Sequence, residues 1–162
     1  MNEADFKILF VCMGNICRSP TAQAVFSKGL ADQDLLHLVK VDSAGTHHFH
    51  PDAPPDARSQ MHALRRGYDM SHLRARPVVE NDFEEFDLFL TMDGNNRALL
   101  EERCPALHLH KIRGFTEFLQ TNQATDIPDP YHGGDEGFEH VLDLIEEASN
   151  GLLQFIHDKV KA

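Results

Sequence analysis

Basic residues are scarce in this chain. Its 162 residues carry 15 Lys and Arg against 26 Asp and Glu, a formal net charge of −11 with histidine neutral. Such a surface repels nucleic-acid backbones and anionic lipid, so no nucleic acid and no membrane is expected among the partners. It also repels small phosphate anions at long range, so any phosphate site must be built from strong local groups. Cysteine is scarce too. Cys12, Cys17 and Cys104 make no disulfide framework, and the expected compartment is cytoplasmic. No apolar run approaches the ~18 residues of a transmembrane helix. The acidic opening Met1-Asn2-Glu3-Ala4-Asp5 leads into an apolar stretch too short for a secretory core. Internal repeats and low-complexity tracts are absent.

What is present suits one folded domain spanning 1–162. Apolar residues make up 41% of the chain, enough for a real core. The pattern alternates strand and helix, which implies an α/β fold with a parallel sheet. Phe6 to Val11 reads as a buried first strand. Ser19-Pro20 suits a helix start, followed by an apolar face of Ala22, Val25, Phe26 and Leu30. Val39 to Ser43 alternates like a second strand. Pro54-Pro55 opens a second helix with Ala57, Met61 and Leu64 on its apolar face and Gly67 as a stop. Asp87 to Met92 reads as a third strand, Asp93 as the cap of a short helix, and Leu107 to Ile112 as a fourth strand. Thr121 to Gly137 is polar and rich in Pro, Gly and Asp, so it reads as a loop. A last helix is expected from Phe138, with Val141, Leu142, Ile145, Leu152, Phe155 and Ile156 inward and a weak point at Asn150-Gly151. The expected architecture is a four-stranded parallel sheet in a single domain, with helices on both faces. Ligands of such sheets bind beyond the carboxyl ends of the strands.

The first such place is the turn after Val11, Cys12-Met13-Gly14-Asn15-Ile16-Cys17-Arg18-Ser19-Pro20. It runs from a strand into a helix N-terminus, where orphan N–H groups and the helix dipole favour an anion. Successive N–H groups can wrap phosphate oxygens, and Gly14 and Asn15 tolerate the left-handed backbone that such a nest needs. Arg18 could add a planar fork for two oxygens. Cys12 would lie at the base, where the same field favours its nucleophilic thiolate. Cys-x5-Arg alone is a weak signal; the strand–loop–helix context and the Ser-Pro that follows strengthen it.

This loop closely resembles the signature of the low-molecular-weight protein tyrosine phosphatases, and length and element order agree over almost the whole chain. The resemblance implies a phosphate-binding loop of Met13, Gly14, Asn15, Ile16, Cys17 and Ser19 after the first strand. It implies a hydrolase, a protein phosphatase acting on phosphotyrosine and aryl phosphates through a phosphocysteine intermediate on Cys12. Asp126-Ile127-Pro128-Asp129-Pro130-Tyr131 resembles the family's general-acid segment, and the match places the acid at Asp129; Asp126 is the alternative, otherwise a turn residue. Phe49 and Tyr131 match the family's two aromatic pocket walls, and His47 and His48 would tune the rim. Asn15, Ser19, Ser43 and His72 match positions that brace the loop. The Tyr-Tyr pair common in the acid loop is here Tyr131-His132, so regulation through a second tyrosine is not implied. A reversible Cys12–Cys17 disulfide is a family property that sequence alone does not establish here. The implied partner is a tyrosine-phosphorylated protein, and no cofactor and no metal are required.

Three rival readings are weaker. Arsenate reductases reuse such a loop but need two further redox cysteines, and only Cys104 lies downstream. Phosphoarginine phosphatases tend to carry Thr where Ile16 stands. A non-catalytic phosphate-binding module would have lost the nucleophile, the arginine or the acid. The cluster His47-His48-Phe49-His50 lacks the carboxylate or cysteine of a convincing metal site and reads as a solvated loop. Gly133 to Gly137 lacks the lysine of a nucleotide loop.

Overall fold

The computed structural model describes residues 5–130 and 134–160. Four parallel strands form one sheet in the order β2-β1-β3-β4: β1 Phe6–Cys12, β2 Val39–Gly45, β3 Leu88–Thr91 and β4 Ile112–Gly114. β1 is the inner strand that fixes the register. Ile8 lies opposite Val41 on one side and Leu88 on the other, and Cys12 lies opposite Gly45. Its near-continuous apolar run is what a strand covered on both faces requires.

Alternation along β1 feeds two cores. Ile8, Phe10 and Cys12 face one side and pack with α1 (Arg18–Asp32) and α5 (Asp135–Val160). Leu9 and Val11 face the other, with Phe83, Phe86, Phe89 and Leu100. Those residues come from the short helix α3 (Asp82–Glu85), the segment after it, β3 and α4 (Gly94–Arg103). Phe10 meets Phe26 of α1 edge-on with ring centroids 5.9 Å apart, and Phe115 at 5.1 Å. Each such fully buried side chain contributes about 1.5–3 kcal/mol. Helices therefore cover both faces, as the pattern implied.

Four local readings change. α2 (Ala57–Arg65) begins after Asp56, whose carboxylate accepts from the N–H groups of Arg58 and Ser59. Its buried residues are Ser59, His62 and Ala63, while Met61 is exposed and Leu64 is 63% exposed. The expected apolar face was the wrong one, because α2 packs on the acidic side of α5 through polar pairs. Residues 106–111 form a 3-10 helix rather than a strand, with Leu107 77% exposed; β4 is only Ile112–Gly114. α5 starts a turn earlier than Phe138 and runs unbroken through Asn150-Gly151. Gly151 is a point of close approach rather than weakness: a Cβ there would stand 2.0 Å from the Phe118 carbonyl oxygen.

Candidate active site

The carboxyl end of β1 turns into α1 through Met13 to Cys17. The carbonyls of this turn are tied off by surrounding segments. Cys12 O accepts from Thr46 N–H at 2.9 Å, Met13 O from His47 N–H at 3.0 Å, and Ile16 O from Asp56 N–H at 2.8 Å. The Thr21 hydroxyl donates to Cys17 O at 2.6 Å. Among the described residues, none of the N–H groups of Met13 to Cys17 donates to a backbone carbonyl. N–H groups left without a backbone acceptor are what an anion-binding nest requires.

Asn15 holds the turn together. Its backbone is left-handed, with φ 59°, a conformation Asn tolerates better than most residues. Its Oδ1 accepts from the Arg76 N–H at 2.9 Å, and its Nδ2 donates to Ser19 Oγ at 2.8 Å and Ser43 Oγ at 2.9 Å. Ser43 in turn donates to Gln23 Oε1 at 2.7 Å. Ser19 Oγ also lies 3.0 Å from Cys12 Sγ, so one chain of contacts runs from Ser43 through Asn15 to the thiol. Gly45, opposite Cys12, is required by space: a Cβ there would stand 2.7 Å from Met13 O.

Arg18 is buried and enters the same site from the first turn of α1. Its Nη1 donates to Asp93 Oδ2 at 2.7 Å and to Ile127 O at 3.0 Å, while Nη2 lies 3.8 Å from Asp129 Oδ2. Burial works against the guanidinium charge. Negative charge at Cys12, the Asp93 hydrogen bond and charge, and then Asp129 outweigh it and hold the Arg18 pKa above its ordinary value. The segment from Asp126 to Asp129 is pinned to the end of β3, since Ile127 N–H donates to Met92 O at 2.6 Å. The two aspartates of that segment separate here. Asp126 accepts from Gly94 N–H at 3.1 Å at the start of α4 and lines a different depression with Arg97. Asp129 lines the pocket over Cys12.

That pocket is floored by Cys12, Met13, Gly14, Ile16, Cys17 and Arg18, and walled by Phe49, His50 and Asp129. Phe49 is 58% exposed and stacks on His47 with ring centroids 4.7 Å apart. His48 does not line the pocket. It lies on a second depression with Pro51, Ala75 and Pro77, which His50 also lines, and of the two only His50 reaches the pocket over Cys12 as well. The reason is local: a Cβ on Gly14 would come within 3.2 Å of the His50 ring, so glycine there lets the imidazole lie against the loop. His72 is not brought to the loop either. It is exposed on a separate depression with Gln23, Lys28 and Tyr68, and the Arg76 backbone bonds Asn15. The expected wall residue Tyr131, with His132, lies outside the described residues.

Burial pushes the Cys17 thiol up to about 12; a hydrogen bond from Ser59 opposes this, and the negative charge of Asp56, Cys12 and Asp129 adds to it. Cys104 ends α4 in the other core, where its thiol donates to Pro105 O at 3.4 Å. Among the described residues no group of three His, Cys, Asp or Glu is placed to hold a metal ion. Nor, among them, is any helix long and apolar enough to cross a membrane.

Two functional contacts had no sequence reading. Asp93 was expected only as a helix cap, which it is, accepting from Asn96 N–H at 2.8 Å. It also anchors Arg18. Its place just beyond the carboxyl end of β3, where parallel sheets bind ligands, was the available signal. The Ile127 carbonyl carries no such signal.

Comparison with known proteins agrees with this geometry. The sequence model of the family described as low molecular weight phosphotyrosine protein phosphatase matches residues 7–162. A putative low molecular weight protein-tyrosine-phosphatase of Synechocystis is 41% identical over 148 residues, covering 91% of this chain and 94% of that protein. The human low molecular weight phosphotyrosine protein phosphatase is 37% identical, covering 96% of this chain and 98% of its own. Among solved structures, a protein tyrosine phosphatase of Entamoeba histolytica superposes with a TM-score of 0.92 at 40% identity, covering 95% of this chain and 98% of that one.

Proposed function

Because the chain belongs to the low molecular weight phosphotyrosine protein phosphatase family and hydrolyses phosphotyrosine, we propose that its reaction passes through a phosphocysteine on Cys12, with Asp129 as general acid and then base. The observation that carries this reading is the convergence of Cys12, Arg18 and Asp129 on one pocket. In the first step Cys12 Sγ attacks phosphorus in line with the departing phenolic oxygen. The loop N–H groups hold the equatorial oxygens as charge redistributes. Nη1 of Arg18 is tied back to Asp93 and Ile127, so the other edge of the fork, Nε and Nη2, takes two phosphate oxygens. Asp129 protonates the leaving phenol.

In the second step water attacks the phosphocysteine while Asp129 accepts its proton, and the sulfur leaves. Ser19, 3.0 Å from Cys12 Sγ, stabilises the thiolate as it forms. Phe49 supplies one flat wall for the aryl ring. The chemistry calls on no metal, and the setting is cytoplasmic, on tyrosine-phosphorylated proteins. The test is hydrolysis of p-nitrophenyl phosphate in chelator by wild type and Cys12→Ser. Turnover should disappear in the variant. Turnover that survives it, or no turnover by folded, reduced wild type, would sink the assignment.

A further inference from the structure

His62 is buried between α2 and α5, 1% exposed, and the proposed chemistry makes no use of it. Its ring stacks parallel on Phe138 at 5.3 Å. Nδ1 pairs with Glu139 Oε2, and Nε2 lies 3.3 Å from Asp135 Oδ1. Two carboxylates thus meet the two nitrogens of one imidazole. An ionised carboxylate only accepts hydrogen bonds, and a neutral imidazole carries a single N–H. Only the imidazolium donates to both.

The two contacts would not be lost together. Glu139 is also held by Arg66 Nη2 at 2.6 Å, whereas among the described residues Asp135 has His62 as its partner. When the ring loses its proton, the remaining Nδ1–H stays on Glu139. Nε2 then presents a lone pair to Asp135, the first residue of α5. The site adjoins the acid loop, because His62 and Phe138 line one small cavity with Pro130, which follows Asp129, and with Cys17 and Thr21 of the phosphate-loop side.

We propose that His62 is a positioning residue for catalysis: its imidazolium clasps Asp135 and Glu139 at the start of α5 and so sets the Asp129 loop, and loss of its proton loosens that hold. This rests on the reading of Asp129 as the acid. The charged groups around the ring are identifiable. α5 contributes Asp135 and Glu139. α2 contributes Arg58, whose guanidinium lies 4.8 Å from the Phe138 ring centre, and Arg66 follows at its C-terminal cap. From α1's N-terminal end the protonated Cys17 thiol shares the small cavity with the ring, and the charges that act on that thiol are Asp56, before α2, and Asp129. The clasp thus couples activity to the proton on the His62 ring, through the two carboxylates that meet its two nitrogens.

Asp135→Asn separates the two effects on an exposed residue. An asparagine amide can donate to the neutral ring's lone pair, so this contact survives deprotonation. His62→Gln, with a neutral donor only, mimics the open clasp at every pH. The experiment follows the His62 ring by NMR from pH 5 until it is neutral, and measures kcat/KM for aryl phosphates with poor and good leaving groups. As the ring deprotonates, the ratio of wild type to Asp135→Asn should fall about two- to fivefold for the poor leaving group, as expected for loss of a partly exposed charged contact. It should stay flat for the good one, and His62→Gln should show no such step. A flat ratio for the poor leaving group through the ring's titration, or a ring already neutral at pH 5, overturns the clasp. Asp129→Ala, run alongside, tells the two readings apart. Equal slowing of both leaving groups would remove the acid assignment; unequal slowing with a flat ratio removes only the clasp.

Discussion

Asp93 holds Arg18 by a 2.7 Å charged hydrogen bond through Oδ2, while its Oδ1 caps α4 on the Asn96 N–H at 2.8 Å. One carboxylate thus fixes a helix start and the guanidinium at the pocket over Cys12. The two jobs are separable by substitution. Asp93→Asn keeps a capping oxygen but withdraws the charge facing a buried guanidinium. Hydrogen bonds to charged groups contribute about 1.5–3 kcal/mol, so kcat/KM should fall roughly ten- to a hundredfold with a small change in Tm. Asp93→Ala should lose the same activity and a further ~1 kcal/mol of stability from the missing cap. Steady-state kinetics and thermal unfolding check both. An Asp93→Asn enzyme with unchanged kcat/KM would mean that the loop alone orients Arg18.

Asn15 combines a left-handed backbone with three side-chain hydrogen bonds, to Arg76, Ser19 and Ser43. Asn15→Gly relieves the backbone and loses the bonds; Asn15→Ala loses the bonds and strains the backbone as well. The alanine variant should be less stable than the glycine variant by about 1 kcal/mol, the cost of a left-handed non-glycine residue. Both should lose most phosphatase activity, because Ser19 is no longer held beside Cys12. Denaturant unfolding of the pair measures the backbone contribution directly. Equal stability of the two would show that the loop relaxes out of the left-handed region.

The parts legible in the sequence were those written in residue type. The loop from Cys12 to Pro20 needs thiol, glycine and arginine in a fixed order, and the structure puts Cys12, Gly14 and Arg18 around one pocket. Ser19 is not the cap its type suggests: α1 starts one residue earlier, with Cys17 at its N-cap, and Ser19 turns its hydroxyl to Cys12 and Asn15 instead. β1 was legible because a strand buried on both faces is continuously apolar. What failed depended on partners distant in the chain. On α2 the pattern favoured Met61 and Leu64, but α5 offers acidic groups there, so His62 and Arg66 turn inward to meet Glu139. Leu107-His108-Leu109-His110 alternates as a strand does, yet the chain coils and leaves Leu107 in solvent. His48 and His50 are alike as residues; which one faces the pocket is set by the path of the loop over Gly14. The dual role of Asp93 needed the ends of β1 and β3 side by side.

Cys17 sits in the same pocket floor as Cys12. Burial raises its pKa from 9.0 to about 12, so at neutral pH it stays a protonated thiol with little nucleophilicity. Cys104 is also pushed up, by burial first and by the nearby Glu101, against the pull of Lys111. Iodoacetamide at pH 7.5, followed by peptide mass spectrometry, should therefore label Cys12 and leave Cys17 and Cys104 largely unmodified. Inorganic phosphate should slow that labelling by occupying the nest. The same shift carries a stability consequence. Between pH 9.0 and about 12 the folded state keeps a proton on Cys17 that the unfolded chain gives up. Stability then falls as pH rises through that window, and the fall should be shallower in Cys17→Ala. Denaturation midpoints of wild type and Cys17→Ala across pH 8 to 11 test it. Labelling of Cys17 at a rate comparable to Cys12, together with parallel midpoints in the two proteins, would place its thiol in water rather than in the protein interior.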